Sequence, residues 1–291
     1  MNRPALGLSR GLWLMIGSSF LFALMAGCVK AIGPRLPVYE VVWCRSVISL
    51  VLTGVLLRGA GVSAWGKRRG WLVLRGLAGF VALLAYFRTL TVLPLAVAQV
   101  LQYTSPAFSA LLAPAFLKER VSRRTWLALG LAFAGLCLIA RPRDAVPPLA
   151  AAVALAGAFG SGVAYNTVRK LRGEHPLTII FYFPLVSALL TSPMTFNGFV
   201  IPQGHEWAWL LGVGLISQVA QILLTLGLHA EAVARGSTAT YLNVVFAAAL
   251  GWMFWGEVPD PWSWAGAAVV CAGVLSLGRG AEPAAEEPLR A

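Results

Sequence analysis
Ten stretches of roughly twenty mostly apolar residues follow one another along the chain, near 12–31, 38–57, 71–90, 95–117, 124–141, 147–168, 177–195, 207–228, 233–255 and 261–278. A helix needs about 20 such residues to cross ~30 Å of hydrocarbon. A membrane barrel would instead need ~10-residue strands of alternating polarity, and runs such as LALGLAFAGLCLIA (127–140) do not alternate. Only 12% of the residues are charged, against about 25% in a soluble domain, too few to cover a water-facing surface. The reading is an all-α integral membrane protein with ten transmembrane helices and no connection long enough for a separate soluble domain.

The start of the chain and its cysteines fit that reading. Leu24-Met25-Ala26-Gly27-Cys28 is similar to a lipoprotein cleavage box. However, Met25 stands where Leu is usual, and cleavage would remove a helix that the internal repeat requires. Cys28, Cys44, Cys137 and Cys271 fall within spans without CxxC spacing. They read as small apolar packing residues, and no metal site, cofactor motif or disulfide framework is expected.

The net charge of +12 raises nucleic acid as a partner, but its placement points elsewhere. With the N-terminus inside, sixteen of the 23 Lys and Arg lie in the N-tail, the 58–70, 118–124, 169–176 and 229–235 loops and the C-tail. Five (Lys30, Arg35, Arg88, Arg141 and Arg143) lie on the other side, and Arg45 and Arg75 lie within spans. Positive loops stay cytoplasmic, so both termini are expected in the cytoplasm and the chain in the inner membrane. Topology thus explains the charge, with the lipid bilayer as partner and no nucleic acid. The Pro-, Ala- and Glu-rich end, 280–291, reads as a disordered cytoplasmic tail.

The chain also repeats itself. Displaced by 138 residues, Tyr103 meets Tyr241, Phe108 Phe246, Phe116 Phe254, Glu119 Glu257, Trp126 Trp264, Gly135 Gly273 and Arg141 Arg279. Pro37 meets Pro176 at a displacement of 139. Two units follow, 12–141 and 147–279, each of five helices. Five is odd, so the second enters the membrane from the opposite side. Inverted repeats suit a transporter, because they permit near-degenerate inward-open and outward-open states.

Each copy carries a Glu just after its fourth helix and a Trp seven residues later, within LKERVSRRTWLALGLAFAGLCLIA (117–140) and WGEVPDPWSWAGAAVVCAGVLSLG (255–278). In these passages, and in Arg45 near the start of the second helix, the chain resembles the EamA family of the drug/metabolite transporter superfamily over residues 12–279. The resemblance implies a ten-helix permease whose helices three, four, six, eight and nine line the path. Family members move amino acids, S-adenosylmethionine, riboflavin, sugar-linked nucleotides and other metabolites.

Polar groups at membrane depth are costly and mark functional candidates. Gln99, Gln102, Tyr103 and Pro106 share one face of the fourth span. Ser237, Thr240 and Tyr241 hold the related positions in the ninth, with Asn243 just beyond. They are either opposite walls of a central cavity or hydrogen-bonding glue between helices. Pro106 predicts a bend in the fourth span; its counterpart, Val244, predicts no matching bend in the ninth. The third span offers Tyr86 and the eighth Gln218 and Gln221. In the sixth, Tyr165 and Asn166 follow Gly157, Gly160 and Gly162, which favour close helix approach.

Glu40 and Arg45 are the opposite charges within one predicted span. Five residues apart, they are not an ideal helical pair. Glu40, near the end of its span, is expected at a solvated boundary or, alternatively, as a proton carrier for coupling. Arg45 keeps its charge and either pairs with a carboxylate or a bound anionic group, or packs against carbonyls or lipid phosphate. Glu119 and Glu257 are expected to fix loop geometry, and Arg141 and Arg279 to anchor span ends. Trp13, Trp71, Trp126, Trp207, Trp209, Trp262 and Trp264 fit an aromatic belt, with Trp43, Trp252 and Trp255 either there or at the cavity border. Ala128 and Ala132, and Ala268 and Ala272, are expected to mark close helix contacts.

An intramembrane enzyme is a remote alternative. Ser161 lies within a span, but His175, His205 and His229 and both aspartates, Asp144 and Asp260, are expected in loops. Neither a Walker motif nor a channel filter is present. The expected function is a secondary active transporter, not an enzyme, moving a small polar metabolite, an amino acid or derivative, with export favoured. The alternative is uptake of a larger planar metabolite such as S-adenosylmethionine or riboflavin.

Overall fold
The computed structural model describes residues 8–33, 35–90, 92–93, 95–140 and 146–278. Arg141, Arg143, Arg279 and the 280–291 tail lie outside the described residues. The described residues fold into helices α1 (Arg10–Ile32), α2 (Val38–Gly59), α3 (Arg69–Leu90), α4 (Leu95–Gln102), α5 (Ser105–Leu117), α6 (Arg123–Ala140), α7 (Pro148–Lys170), α8 (Pro176–Phe196), α9 (Glu206–Ala230), α10 (Val233–Thr238), α11 (Leu242–Trp255) and α12 (Pro261–Ser276). Counting α4–α5 and α10–α11 as one span each, nine spans among the described residues are long and apolar enough to cross a membrane. The tenth, α12, has 16 residues.

Local chemistry sets the helix ends. The Ser9 hydroxyl caps α1 by accepting from the Leu12 N–H at 3.1 Å, and Asp260 caps α12 by accepting from the Ser263 N–H at 2.7 Å. Proline opens α7, α8 and α12, where its missing N–H costs nothing. The fourth and ninth spans both stop at a left-handed residue, Lys118 (φ 58°) and Gly256 (φ 68°).

The packing obeys the repeat. The closest helix pairs are α1 with α9, α6 with α12, α3 with α7 and α2 with α8, followed by α5 with α7 and α1 with α11. Exchanging each span for its counterpart five places on turns α1–α9 into α7–α3 and α5–α7 into α11–α1, and maps the α6–α12 and α2–α8 pairs onto themselves. The set of contacts is closed under that exchange, as two inverted five-helix repeats require. Each of these pairs joins one helix from each repeat, so the main core is built between the repeats.

Small residues set the closest approach. A Cβ on Gly135 of α6 would meet the Gly266 carbonyl oxygen of α12 at 2.7 Å, and one on Gly266 would meet the Gly135 carbonyl at 2.6 Å. Ala128 and Ala132 are buried in this contact, which lies within one chain. Ala268 and Ala272, however, are exposed. The α12 packing stripe is Gly266, Val270 and Gly273, one helical face away from them. Gly157, Gly160 and Gly162 do face neighbouring helices, α3 for the first two and α5 for the third.

The ninth span departs from expectation. Pro106 lies in the first turn of α5, after a break at Tyr103 and Thr104. The ninth span breaks at the equivalent place, where Ala239–Tyr241 tightens into a 3-10 turn. The interruption is therefore symmetric, although Val244 replaces the proline. Beside each break a hydroxyl bonds back along its own span: Thr104 donates to the Leu101 carbonyl at 2.6 Å and Thr240 to the Ser237 carbonyl at 2.6 Å. Such back-bonding competes with the helical ladder.

Candidate functional site
The two breaks meet at the centre of the bundle. Tyr103 and Tyr241, the symmetry-related tyrosines, lie with ring centroids 5.9 Å apart and planes tilted by 33°. The Tyr103 hydroxyl donates to Asn243 Oδ1 at 2.7 Å, and Asn243 Nδ2 donates to the Ser19 carbonyl at 3.0 Å. The fourth, ninth and first spans are thereby linked. Tyr241 is wholly buried, and its hydroxyl has no hydrogen-bond partner among the described residues. The two tyrosines touch across the pseudo-twofold axis.

The other sequence candidates divide between helix glue and the central cluster. Tyr86 hydrogen-bonds Gln99. Gln102 Nε2 donates to Ser161 at 3.1 Å, leaving its carbonyl oxygen buried and unpartnered. Asn166 spends its amide on the Ser109 and Gly162 carbonyls, 3.0 and 2.9 Å away, so it ties α7 to α5. Ser237 bonds the carbonyl of Ala234 within its own helix. Tyr165 is half-buried and close enough to Tyr103 and to Arg75 to interact with both electrostatically.

Next to this cluster lies a tight cleft lined by Arg45, Ser46, Ser49, Phe183, Gln218 and Gln221, among others. Its free space is about 10 Å³, enough for one water molecule. Gln218 Nε2 donates to Thr53 at 2.9 Å. Arg75 of α3 lies behind this wall and donates to Gln221 Oε1 at 3.4 Å. The Arg45 and Arg75 guanidiniums both lie on the ring of Phe183, 5.5 and 5.1 Å from its centroid. Arg75 is the residue that sequence reasoning passed over. The available signal was an arginine six residues inside a span.

Glu40 corrects the sequence expectation. It is fully buried, not solvated, and its Oε2 accepts from the Val200 N–H at 2.9 Å. The loop before α9 folds over the end of α2 and covers it. Among the described residues Glu40 and Arg45 form no ion pair. His229 lies in the last turn of α9, not in a loop. Trp252 and Trp255 are exposed, so they do not border the cleft; Trp43 donates to Ser192 at 3.1 Å.

Ion pairs close both ends of the bundle. On the face that carries both described chain ends, Arg169 donates to Glu119 at 2.8 Å and Glu231 binds both Ser9 and Arg235. Glu174 accepts from the Lys67 and Arg68 N–H groups at 2.8 and 2.7 Å. On the opposite face, Lys30 pairs with Glu257 and Arg35 with Glu206.

Ten spans in two inverted halves, interrupted at matching points and closed at both faces, can be compared with known proteins. The EamA-like transporter family matches residues 9–141 and 148–279, one match for each repeat. The chain belongs to that family. It is a membrane transporter, not an enzyme. The pseudopaline exporter of Pseudomonas aeruginosa is 34% identical over 275 residues, covering 94% of this chain and 97% of that relative. The riboflavin transporter of Rhizobium johnstonii is 30% identical over 78% of this chain and 69% of its own length. The S-adenosylmethionine uptake transporter of Rickettsia prowazekii is 24% identical over 89% of this chain and 90% of its own. A solved crystal structure aligns with a TM-score of 0.81 at 19% identity, over 92% of this chain and 97% of that one, and shares the fold.

Proposed function
We propose that this EamA-family member is a secondary active transporter that exports a small polar metabolite, an amino acid or derivative, by alternating access. In this reading it sits in the inner membrane with both termini cytoplasmic. The observation that carries the proposal is the contact of Tyr103 with Tyr241 where two symmetry-related spans are broken. Discontinuous helices near the bilayer midplane are where transporters of inverted-repeat design bind substrate. The polar groups there are mostly amides and hydroxyls, which suit zwitterionic and neutral polar groups. Export is supported by the exporter relative, which matches along nearly its whole length.

The cleft has room for about one water molecule, whereas ligand sites enclose about 300–1,000 Å³. Substrate must therefore separate the walls, and this conformation is read as closed around its centre. The test is a proteoliposome screen of labelled amino acids and derivatives, S-adenosylmethionine and riboflavin, with and without a pH gradient. Counterflow of an amino-acid derivative supports the reading. Counterflow of S-adenosylmethionine or riboflavin alone replaces it with the planar-metabolite alternative. No flux of any class overturns it.

A further inference from the structure
We infer that Arg45 and Arg75 together form an anion subsite, built for a small metabolite carrying two carboxylates; this rests on the transporter reading above. Both cations sit inside membrane spans, on α2 and α3. Arg75 is 4% exposed, and its Nε has no hydrogen-bond partner. Among the described residues neither guanidinium is paired with a carboxylate. They share one phenyl ring, and the contact to Gln221 is long and neutral.

Two like charges in a low-dielectric interior repel, and each carries a desolvation cost that a ring face offsets only in part. Such an arrangement is retained where charge from outside the chain completes it. Guanidinium forks match carboxylate oxygens two by two. Arg45 lines the cleft and Arg75 lies directly behind two of its walls, Phe183 and Gln221, so a pair of guanidiniums from different helices fits two carboxylates better than one once the walls part. The buried and unpartnered Gln218 Oε1 adds an acceptor for an N–H donor on the same ligand, which points to an acidic amino-acid derivative.

Gly79 makes the arrangement possible. A Cβ at that position would lie 2.5 Å from Arg75 Nη1 and 2.9 Å from the Phe183 ring. The missing side chain lets the guanidinium lie along its own helix, one turn toward the C-terminal end, against the phenyl face.

Thermal unfolding of the detergent-purified full chain tests this without requiring transport. Glutarate, adipate and L-glutamate are the probes; glutaramide, adipamide and L-glutamine are their neutral counterparts. The dicarboxylates should raise the unfolding midpoint and the amides should not. Arg45→Gln and Arg75→Gln should each weaken the apparent affinity at least tenfold, and Arg75→Lys less. Arg75→Met in the empty protein should unfold no earlier than wild type, since it removes an unpaired buried charge; a purely structural arginine would make it unfold earlier. The inference is overturned if the amides stabilise equally, or if chloride or phosphate at matched ionic strength gives the same shift. It is also overturned if no dicarboxylate stabilises the folded protein. Those outcomes leave the transport screen standing, whereas dicarboxylate binding in a protein that moves no substrate of any class in liposomes would overturn the transporter reading and leave the binding result.

Discussion
Glu119 and Glu257, related by the 138-residue repeat, hold equivalent cations on opposite faces of the bundle. Their partners, Arg169 and Lys30, are themselves 139 residues apart and end the sixth and first spans. The two locks differ in depth. The Arg169 and Glu119 side chains are 6% and 23% exposed; those of Lys30 and Glu257 are 44% and 59% exposed. Arg169 also donates to the His229 carbonyl, while Lys30 rests on the ring of Trp255 at 4.9 Å. Of these two related locks, the one on the face with the chain ends is the deeper; the opposite face has a second pair, Arg35 with the buried Glu206.

Removing one partner of a buried pair strands a charge and costs about 3–5 kcal/mol, whereas an exposed pair is worth about 0–1 kcal/mol. Glu119→Gln should lower stability by about 3 kcal/mol, the lower end of that range because Glu119 is partly exposed. Glu257→Gln should change it by less than about 1 kcal/mol. Unfolding midpoints in detergent check the difference. Equal losses would mean that the two locks are equally deep.

Two glycines of α6 should respond in opposite directions to the same substitution. Gly135→Ala places a methyl against the α12 backbone at 2.7 Å, where neither helix can yield cheaply. Overpacking of this kind costs about 1–3 kcal/mol. Gly130→Ala meets nothing within 4 Å and gains about 0.5–1 kcal/mol in helix propensity. Midpoints that move together would contradict the α6–α12 contact.

What could be read from the sequence follows from what is periodic in it. The observed helices start and stop within a few residues of the predicted spans, because hydrocarbon thickness and proline or cap residues are local constraints. The repeat was legible through Tyr103 and Tyr241, and the structure brings that pair into contact. The break in the ninth span was not, because Val244 stands where the fourth span has Pro106 and no residue type there announces a turn. Burial of Glu40 depends on where the 197–205 loop folds, which no spacing reveals. Arg75 was placed within a span but given no role for a related reason: a lone arginine names no partner until its neighbours are known.

Tyr103→Phe removes the hydroxyl that reaches Asn243 and keeps the ring against Tyr241. The hydrogen bond it breaks is worth about 0.5–1.5 kcal/mol, so the protein should insert and purify normally. Tyr103→Ala also removes the ring contact and should lose transport, with Gln102→Ala weakened as well. Flux in proteoliposomes against the amount of folded protein is the measurement. Wild-type flux in Tyr103→Ala would show that the broken spans are not part of the path.

The assignment of faces rests on charge alone and is open to direct measurement. The loop between α2 and α3, with Lys67 and Arg68, shares a face with the start of α1, and the loop between α8 and α9 lies on the opposite face. Keeping lysine and arginine on the cytoplasmic side predicts the first loop inside and the second outside. All four cysteines lie within helices and can be replaced to give a silent background. In that background Ser63→Cys should resist a membrane-impermeant maleimide on intact cells and react after permeabilisation. Gln203→Cys should react on intact cells. Ser63 accepts through its carbonyl from Thr178, a contact that the substitution leaves in place. The substitution alters only an exposed 3.3 Å bond from the Trp65 N–H to the Ser63 hydroxyl, so reactivity gained on permeabilisation reports location and not misfolding. The reverse labelling pattern would invert the protein in the membrane and place the Arg169–Glu119 lock on the external face.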